Sequence, residues 1–298
     1  CNIGKPDIAL QLFEADIATT RENDSVEIIT ALNNTAIQQF YVGSLMNSVG
    51  NLNNAILLSK ETSDKFSEIV GLVEISRVLS YCGLWEKSEQ ASSTAQISLG
   101  KLVAGATNYN SVIARRRATH FLLCNRDRKD FSNSKELALD LAKLSLKLSE
   151  ERAIIHQPVE IDFVCSYWLL GAAHRINKQL DLAENYLIEA LKRCRAINYV
   201  LDEADILLDL ARLYYGQKKY QESKNFIDEA LLITERCHYV LQGADVNLFL
   251  AQYALEQEKD KAKAKVYAEE AKKLATCDGP PYYYKVAYDE AERMLEKL

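Results

Sequence analysis

Between residues 167 and 274 the sequence repeats one pattern of small residues three times. Each copy has a small residue in a first helical segment, a second one twelve or thirteen residues later, and a third seven residues after that. The three sets are Gly171, Ala183 and Ala190; Ala211, Ser223 and Ala230; and Ala251, Ala264 and Ala271. Two antiparallel helices approach closely only where neither carries a bulky side chain at the crossing. The pattern therefore predicts three successive pairs of packed helices.

These copies follow one another at about forty residues. Segment 199–205 reads YVLDEAD, and segment 239–245 reads YVLQGAD. Self-similarity at a fixed period of about 20 to 50 residues is typical of solenoids, in which one unit is stacked many times. The sequence therefore predicts an all-α chain that folds as an α-solenoid, a right-handed superhelix of about six antiparallel helix pairs with an extra helix at each end.

The predicted array fills residues 1–298 as a single domain. It divides into an opening helix at 1–24, repeats at 25–62, 63–105, 106–157, 158–197, 198–237 and 238–276, and a capping helix at 280–298. In the first repeat, a helix over 26–48 is predicted to carry Gly43 at the crossing, with a turn at 50–52. In the second, Ser76, Ser88 and Ala95 match the later copies.

Two stretches interrupt the regular pattern. The repeat at 106–157 is predicted to be degenerate, because its second helix shows no clear small-residue set. That helix instead carries leucines at helical spacing, at positions 137, 141, 144 and 148. Near the end, Gly279 is expected to stop one helix and Pro280 to start the last.

Composition narrows the possible functions. The formal net charge of −6 argues against non-specific binding to nucleic acid. Seven cysteines without paired spacing favour free thiols in a reducing compartment, and the sequence has neither a signal peptide nor a run of 18 apolar residues. We therefore predict a cytoplasmic chain without a membrane span. Its first residue is Cys rather than Met, which indicates a piece of a longer polypeptide or a trimmed chain.

Residues that could support catalysis do not form the usual patterns. The two Gly-Lys pairs, at 4–5 and 100–101, lack the other residues of a phosphate-binding loop. The four histidines have no metal-ligand spacing, and no nucleophile has a base nearby in the sequence. The sequence thus predicts no enzyme, no cofactor and no metal site, which leaves recognition as the function.

In stacked helix pairs, the first helix of each pair faces the concave side of the array. Aromatic and Arg residues on that side are the types that dominate binding hot spots. The candidate ligand-binding residues are Arg77, Arg115, Trp168, Asp205, Arg212 and Asp245. Two alternatives stay open. Trp168 can be a core residue, and the arginine run 115–117 can be a solvated helix face rather than a grip for a phosphate or an acidic segment.

The small residues at these offsets, with an aromatic residue at the helix turn (Tyr220), resemble tetratricopeptide repeats (TPRs). The period of about forty is longer than the usual 34 residues of that family, which longer helices would explain. Armadillo-like and HEAT-like repeats are the alternative. The resemblance implies a TPR-like array that binds a protein or a peptide.

A second resemblance covers roughly residues 160–298. Segments 193–212, 235–245 and 277–291 are similar to the C-terminal ends of large bacterial STAND NTPases of the NACHT or NB-ARC type. In that family the repeat array senses a ligand and restrains an NTPase module that precedes it. The resemblance implies a sensing and autoinhibitory segment that works with an upstream NTPase module of the same chain. The alternative is a stand-alone TPR adaptor or peptide-binding regulator.

Overall fold

The structure, a computed structural model, describes residues 4–19, 24–102, 109–128, 131 and 133–298. Within those residues it has fourteen α-helices, one π-helical turn and no strand. The α-helices are α1 (Pro6–Thr19), α2 (Ser25–Tyr41), α3 (Leu45–Glu61), α4 (Lys65–Tyr81), α5 (Trp85–Lys101), α6 (Asn110–Asp127), α7 (Ser134–Ile155), α8 (Glu160–Ile176), α9 (Leu180–Ala196), α10 (Val200–Gly216), α11 (Tyr220–Cys237), α12 (Val240–Tyr253), α13 (Lys261–Thr276) and α14 (Lys285–Leu295). Helices α2 to α13 form six packed pairs, which confirms the predicted all-α solenoid. None of the fourteen has the length and apolarity that a bilayer span requires.

Helix and turn lengths account for the forty-residue period. Helices α2 to α5 are each 17 residues long and begin at residues 25, 45, 65 and 85. Asp24 and Asp64 each cap a helix start, because their carboxylates accept the backbone N–H of Glu27 and Ser67. One 17-residue helix and one three-residue turn occupy 20 residues, so one pair occupies 40.

Small residues lie where the two helices of a pair cross. The Ser88 hydroxyl donates to the carbonyl of Ser76 at 2.8 Å, and the Ser223 hydroxyl donates to the carbonyl of Ala211 at 2.8 Å. At Gly171, a Cβ atom would stand 3.1 Å from the backbone nitrogen of Leu187, too close for most side chains. The crossings predicted for these pairs are confirmed.

The prediction for the first pair was wrong. Gly43 does not lie in a helix but in the turn between α2 and α3, with φ of +78°, and residues 50–52 lie inside α3. The crossing is formed instead by Ala36 and Ser48, whose hydroxyl donates to the Ala36 carbonyl at 2.8 Å. Gly43 follows Ala36 by seven residues, about two helical turns, so it fitted the same face of a longer helix.

The thirteen-residue interval in the last pair has a local cause. A π-helical turn, Ala254–Glu258, follows α12 and takes up the additional residue. It lies between the crossing residues Ala251 and Ala264, which are both fully buried. The extra residue therefore leaves the helix contact unchanged.

Two further expectations are corrected. Helix α7 does have a small-residue face, because its buried side chains are Ser134, Ala138, Ala142, Ser145 and Ser149. Of the leucines at helical spacing, Leu137 and Leu144 are exposed, at 36% and 41%, whereas Leu141 packs against the core. The last helix begins at Lys285, and Pro280 and Pro281 belong to the loop before it.

The solenoid winds far enough for its first third to contact its last. Three glycines in turns or at a helix start lie against residues far along the chain: Gly4 against Val200, Gly43 against Val240 and Gly83 against Lys285. The Asp278 carboxylate also accepts the backbone N–H of Met46 at 2.7 Å. The array is thus closed on itself.

This closure explains why glycine occupies some turns and not others. Ser63, Lys178 and Lys218 have φ between 60° and 64° in equivalent turns, so the left-handed conformation by itself does not require glycine. At Gly43 a Cβ atom would lie 2.7 Å from Val240 Cγ1. Glycine is needed there because the turn both has positive φ and meets another helix.

A buried polar cluster joins α4, α5 and α6. His120 Nδ1 lies 2.9 Å from the Ser80 hydroxyl and 3.2 Å from the Ser88 hydroxyl. Burial, and then the charge of Arg117, lower the pKa of His120 to about 4. The imidazole is therefore held neutral at neutral pH.

We expect Gly43→Ala to lower the free energy of unfolding by about 2 to 4 kcal/mol, because it adds a strained backbone and a clash. Gly50→Ala is the matched control. It lies inside α3 with no atom within 4 Å of the added Cβ, and should raise stability by about 0.5 to 1 kcal/mol. Urea unfolding of both variants measures the difference. Equal stabilities would contradict the close approach of the two turns.

The neutral His120 predicts a pH effect on stability. Between pH 6.5 and about 4 the unfolded chain binds a proton at His120 that the folded chain does not. The free energy of unfolding should therefore fall as pH falls through that window, by on the order of 3 kcal/mol in total. His120→Gln should remove this part of the slope in urea unfolding at several pH values. His156→Gln, at an exposed site, should keep it, and an identical slope in both variants would refute the assignment.

Candidate functional site

The first helices of the pairs, together with α14, line two adjoining cavities on the concave side. The outer chamber has a volume of about 520 Å³, and the inner chamber about 80 Å³. Arg126, Arg175 and Arg212 line both chambers. The inner chamber is further lined by Tyr81, Trp168, Asp205, Asp209, Asp245 and Tyr284, and the outer chamber by Leu248, Phe249, Leu255, Glu290, Arg293 and Lys297.

Four of the six candidate residues meet in the inner chamber. Trp168, Asp205, Arg212 and Asp245 come from α8, α10 and α12, and all four line it. The indole N–H of Trp168 donates to Asp209 at 2.9 Å, which fixes the ring against the chamber. Half-buried Trp168 thus both packs against the core and faces the cavity.

Arg126 joins the two ends of the array at this site. Its guanidinium donates to both carboxylate oxygens of Asp245, at 3.1 and 2.6 Å, and to Glu290 on α14 at 3.2 and 2.7 Å. The Tyr284 hydroxyl donates to Asp245 at 2.9 Å. Burial alone would raise the pKa of Asp245, but the charges of Arg126 and then Arg212 hold it below its ordinary value. Asp245 is therefore an ionised, fully engaged carboxylate.

The other two arginines are less fully engaged. Arg175 donates to Asp209 at 2.7 Å, while its Nε has no hydrogen-bond partner among the residues described. Arg212 stands 3.7 Å from Asp209 and 4.0 Å from Asp245, beyond hydrogen-bond distance. Within the described chain, the Arg212 guanidinium makes no hydrogen bond and faces both chambers. It is a cation with its donors open to a ligand.

Asp205 is the corresponding carboxyl group with open acceptors. Its one hydrogen bond in the described chain comes from the Gln242 amide, at 3.3 Å. Burial, followed by the negative charges of Asp202, Asp245 and Asp209, raises the pKa of Asp205 well above its ordinary value. Unlike Asp245 and Asp209, Asp205 forms no ion pair with an arginine.

The structure does not bring the remaining two candidates to the cavity. Arg77 is only 4% exposed; it pairs with Glu74 at 2.7 Å and lies 4.2 Å from the centre of the Phe40 ring. Arg115 is 9% exposed and pairs with Asp162 at 2.9 Å. Both charges are satisfied inside the packed inner face, so neither is available to a ligand in the chambers.

The arginine run 115–117 fits neither of its two expected roles. Arg115 is buried in its ion pair, and Arg116, whose side chain is 25% exposed, pairs with Glu74 at 3.0 Å. They therefore form neither a solvated face nor an open phosphate site. They neutralise buried carboxylates on α4 and α8.

Several site residues were missed by the sequence analysis. Arg175 follows Gly171 by four residues and Asp209 follows Asp205 by four, so extending the helical period would have found both. Arg126 had no such signal, because it lies at the end of α6 in the repeat that was considered degenerate. Its partners Asp245 and Glu290 are 119 and 164 residues away.

The polar group around His120 leaves little room for a ligand. The Ser88 hydroxyl near His120 already donates to a carbonyl, and the cavity beside it has a volume of about 10 Å³. No group of three or more His, Cys, Asp and Glu side chains in the described part of the chain could hold a metal ion. The chambers are therefore the strongest candidate site.

Comparison with known proteins identifies the repeat type. A family model described as Tetratricopeptide repeat matches residues 162–236, which span most of α8 to α11. No curated protein matches the sequence. The match favours the tetratricopeptide type over the armadillo and HEAT alternatives.

Solved structures share the fold at low sequence identity. A Rap protein complexed with Competence and Sporulation Factor is similar with a TM-score of 0.66 and 12% identity, over 97% of this chain and 77% of that chain. A human IFIT1 dimer with PPP-AAAA is similar with a TM-score of 0.52 and 14% identity, over 100% and 68%. A STAND protein with a tetratricopeptide repeat sensor from Pyrococcus horikoshii gives 0.49 and 12% identity, over 98% and 46%, a score that indicates nothing about role. The chain therefore contains a tetratricopeptide repeat within a TPR-like solenoid.

Proposed function

We propose that this chain is a non-catalytic module that recognises a protein or peptide ligand in the outer and inner chambers. One observation carries the proposal: the concave cavity combines apolar walls with charged groups whose hydrogen-bonding capacity is open. Leu248 and Phe249 supply part of the apolar surface, Arg212 supplies an open cation, and Asp205 supplies an open carboxyl group. Concave sites with apolar walls and a few polar groups are the usual form of ligand sites.

The fold supports this role. TPR-type arrays are generally binding scaffolds rather than catalysts. The similar Rap structure is a complex with Competence and Sporulation Factor, so a chain of this fold can hold a ligand. The outer chamber, at about 520 Å³, has the volume of a site for a short segment rather than for a folded domain.

The finer part of the proposal is that the module is the ligand-sensing and autoinhibitory region of a STAND-type NTPase. The resemblance of segments 193–212, 235–245 and 277–291 supports it. In this arrangement the module acts in the cytoplasm beside an NTPase module of the same chain. Six cysteines of the described residues are free thiols, which agrees with a reducing compartment.

Arg212→Ala should weaken ligand binding about tenfold, because it removes an open, partly desolvated cation from the chamber wall. The measurement is affinity selection from a pool of random pentapeptides on the immobilised chain, followed by titration of the enriched sequences. Arg236→Ala, an exposed arginine on α11, is the matched control and should bind as the wild type does. If the wild-type chain enriches no peptide, or Arg212→Ala binds unchanged, the chambers are not the site.

The proposed STAND role predicts what the complete gene encodes. The parent reading frame should encode a phosphate-binding loop of the form GxxxxGK[ST] upstream of the present residue 1. Sequencing the complete reading frame tests this. A frame that begins near residue 1 without such a loop would replace the STAND assignment with a stand-alone TPR adaptor.

A further inference from the structure

We infer that the ligand is a short peptide that presents a basic side chain to Asp205 and a carboxylate to Arg212. This inference rests on the proposed function and specifies the chemistry of the ligand. It follows from which groups in the chambers are left open, from their charges, and from their spacing on α10.

The floor of the inner chamber has acceptors without donors. Asp205 receives one hydrogen bond, from Gln242, although a carboxylate can accept several. Asp205 lines the inner chamber, so its remaining acceptor capacity faces the cavity. An ammonium or guanidinium group brings several donors and so satisfies this carboxyl group.

The charges around Asp205 favour the same kind of group. Asp202 and Asp209 belong to its own helix, Asp245 faces it from α12, and Tyr81 faces it from α4. Asp209 and Asp245 each form an ion pair with an arginine of the chambers, whereas Asp205 forms none with any of the residues described. A basic side chain of the ligand supplies the missing partner.

The missing partner of Asp205 also predicts that a proton is released when the ligand binds. In the empty chamber, burial and the neighbouring carboxylates raise the pKa of Asp205, which favours its neutral form. A cation placed beside it favours the ionised form. Binding therefore releases a proton from Asp205.

Arg212 marks the second contact. It follows Asp205 by seven residues on α10, so the two lie on the same face and about 10 Å apart along the helix axis. Exposed Arg293 and Lys297 line the outer chamber beyond Arg212 and form no ion pair within the described chain. The outer chamber is lined by five cationic side chains and two glutamates, so the potential becomes more positive from Asp205 towards the mouth. A peptide spans about 10 Å with three extended residues, so one short segment can reach both ends.

The test uses two pools of random pentapeptides on the immobilised full chain. The first is N-acetylated with a free C-terminus, so that only Lys, Arg or His side chains can supply the cation. The second is N-acetylated, C-terminally amidated and free of Asp and Glu. The wild type should enrich peptides with Lys or Arg from the first pool, and should bind the amidated counterparts of the enriched sequences about tenfold more weakly.

Two variants and one control assign the contacts. Asp205→Asn should abolish the preference for Lys and Arg, and Arg212→Gln should abolish the preference for the free carboxylate. Asp181→Asn, at an exposed position on α9, should leave both preferences intact. Calorimetry in two buffers of different ionisation enthalpy should show proton release on binding to the wild type and none for Asp205→Asn. Circular dichroism confirms that each variant is folded.

The outcomes separate this inference from the proposed function. Enrichment of neutral or acidic peptides, or retention of the basic preference by Asp205→Asn, overturns the inference while the chain remains a peptide-binding module. Absence of enrichment by the wild type overturns the proposed function itself.

Discussion

The close crossing of paired helices at small residues is the contact on which the rest of this structure depends. At Ser88 and Ser223, a hydroxyl from one helix reaches a carbonyl of the other, and at Gly171 even a methyl group would collide with Leu187. Such a crossing fixes how one helix of a pair lies on the next. With helices of 17 residues joined by turns of three, it fixes the forty-residue period as well. Where one residue is inserted, a π-helical turn absorbs it, so the crossing is kept at the expense of helix regularity.

When such pairs are stacked one after another, the array acquires a geometric property that a single pair does not have. The array winds until the turn at Gly43 meets Val240 and the turn at Gly83 meets Lys285. Because the concave face becomes enclosed, its charged side chains must be paired or hydrogen-bonded in place. Arg77 with Glu74 and Arg115 with Asp162 are the result. These two arginines, which the sequence suggested as ligand contacts, thus neutralise buried carboxylates instead.

The sequence predicted those features that depend on residues close together in the chain, and it did not predict those that depend on distant residues. The helix pairs and most crossings were predictable because they depend on residues twelve apart. Gly43 was misplaced because a seven-residue shift keeps the same helical face, and only contact with Val240 reveals its role. On α7, the buried Ala138 and Ala142 were overlooked beside more conspicuous leucines, of which Leu137 and Leu144 are exposed. Trp168, Asp205, Arg212 and Asp245 were selected because they keep the repeat spacing, and all four line the inner chamber. Arg126 was not, since nothing within a repeat anticipates a partner 119 residues away.

Arg126 also shows why the site belongs to the closed array rather than to any one repeat. The chambers take Tyr81 from α4, Trp168 from α8, Asp205 from α10 and Asp245 from α12. Arg126 holds Asp245 and Glu290 together, which ties α12 and α14 to α6. With that link made, Asp245 is neutralised, and Asp205 remains as the carboxylate of the inner chamber without an arginine. The unpaired carboxyl group of Asp205 is thus a property of the closed array, because Arg126 of α6 reaches Asp245 of α12 only after the two ends of the chain have come together.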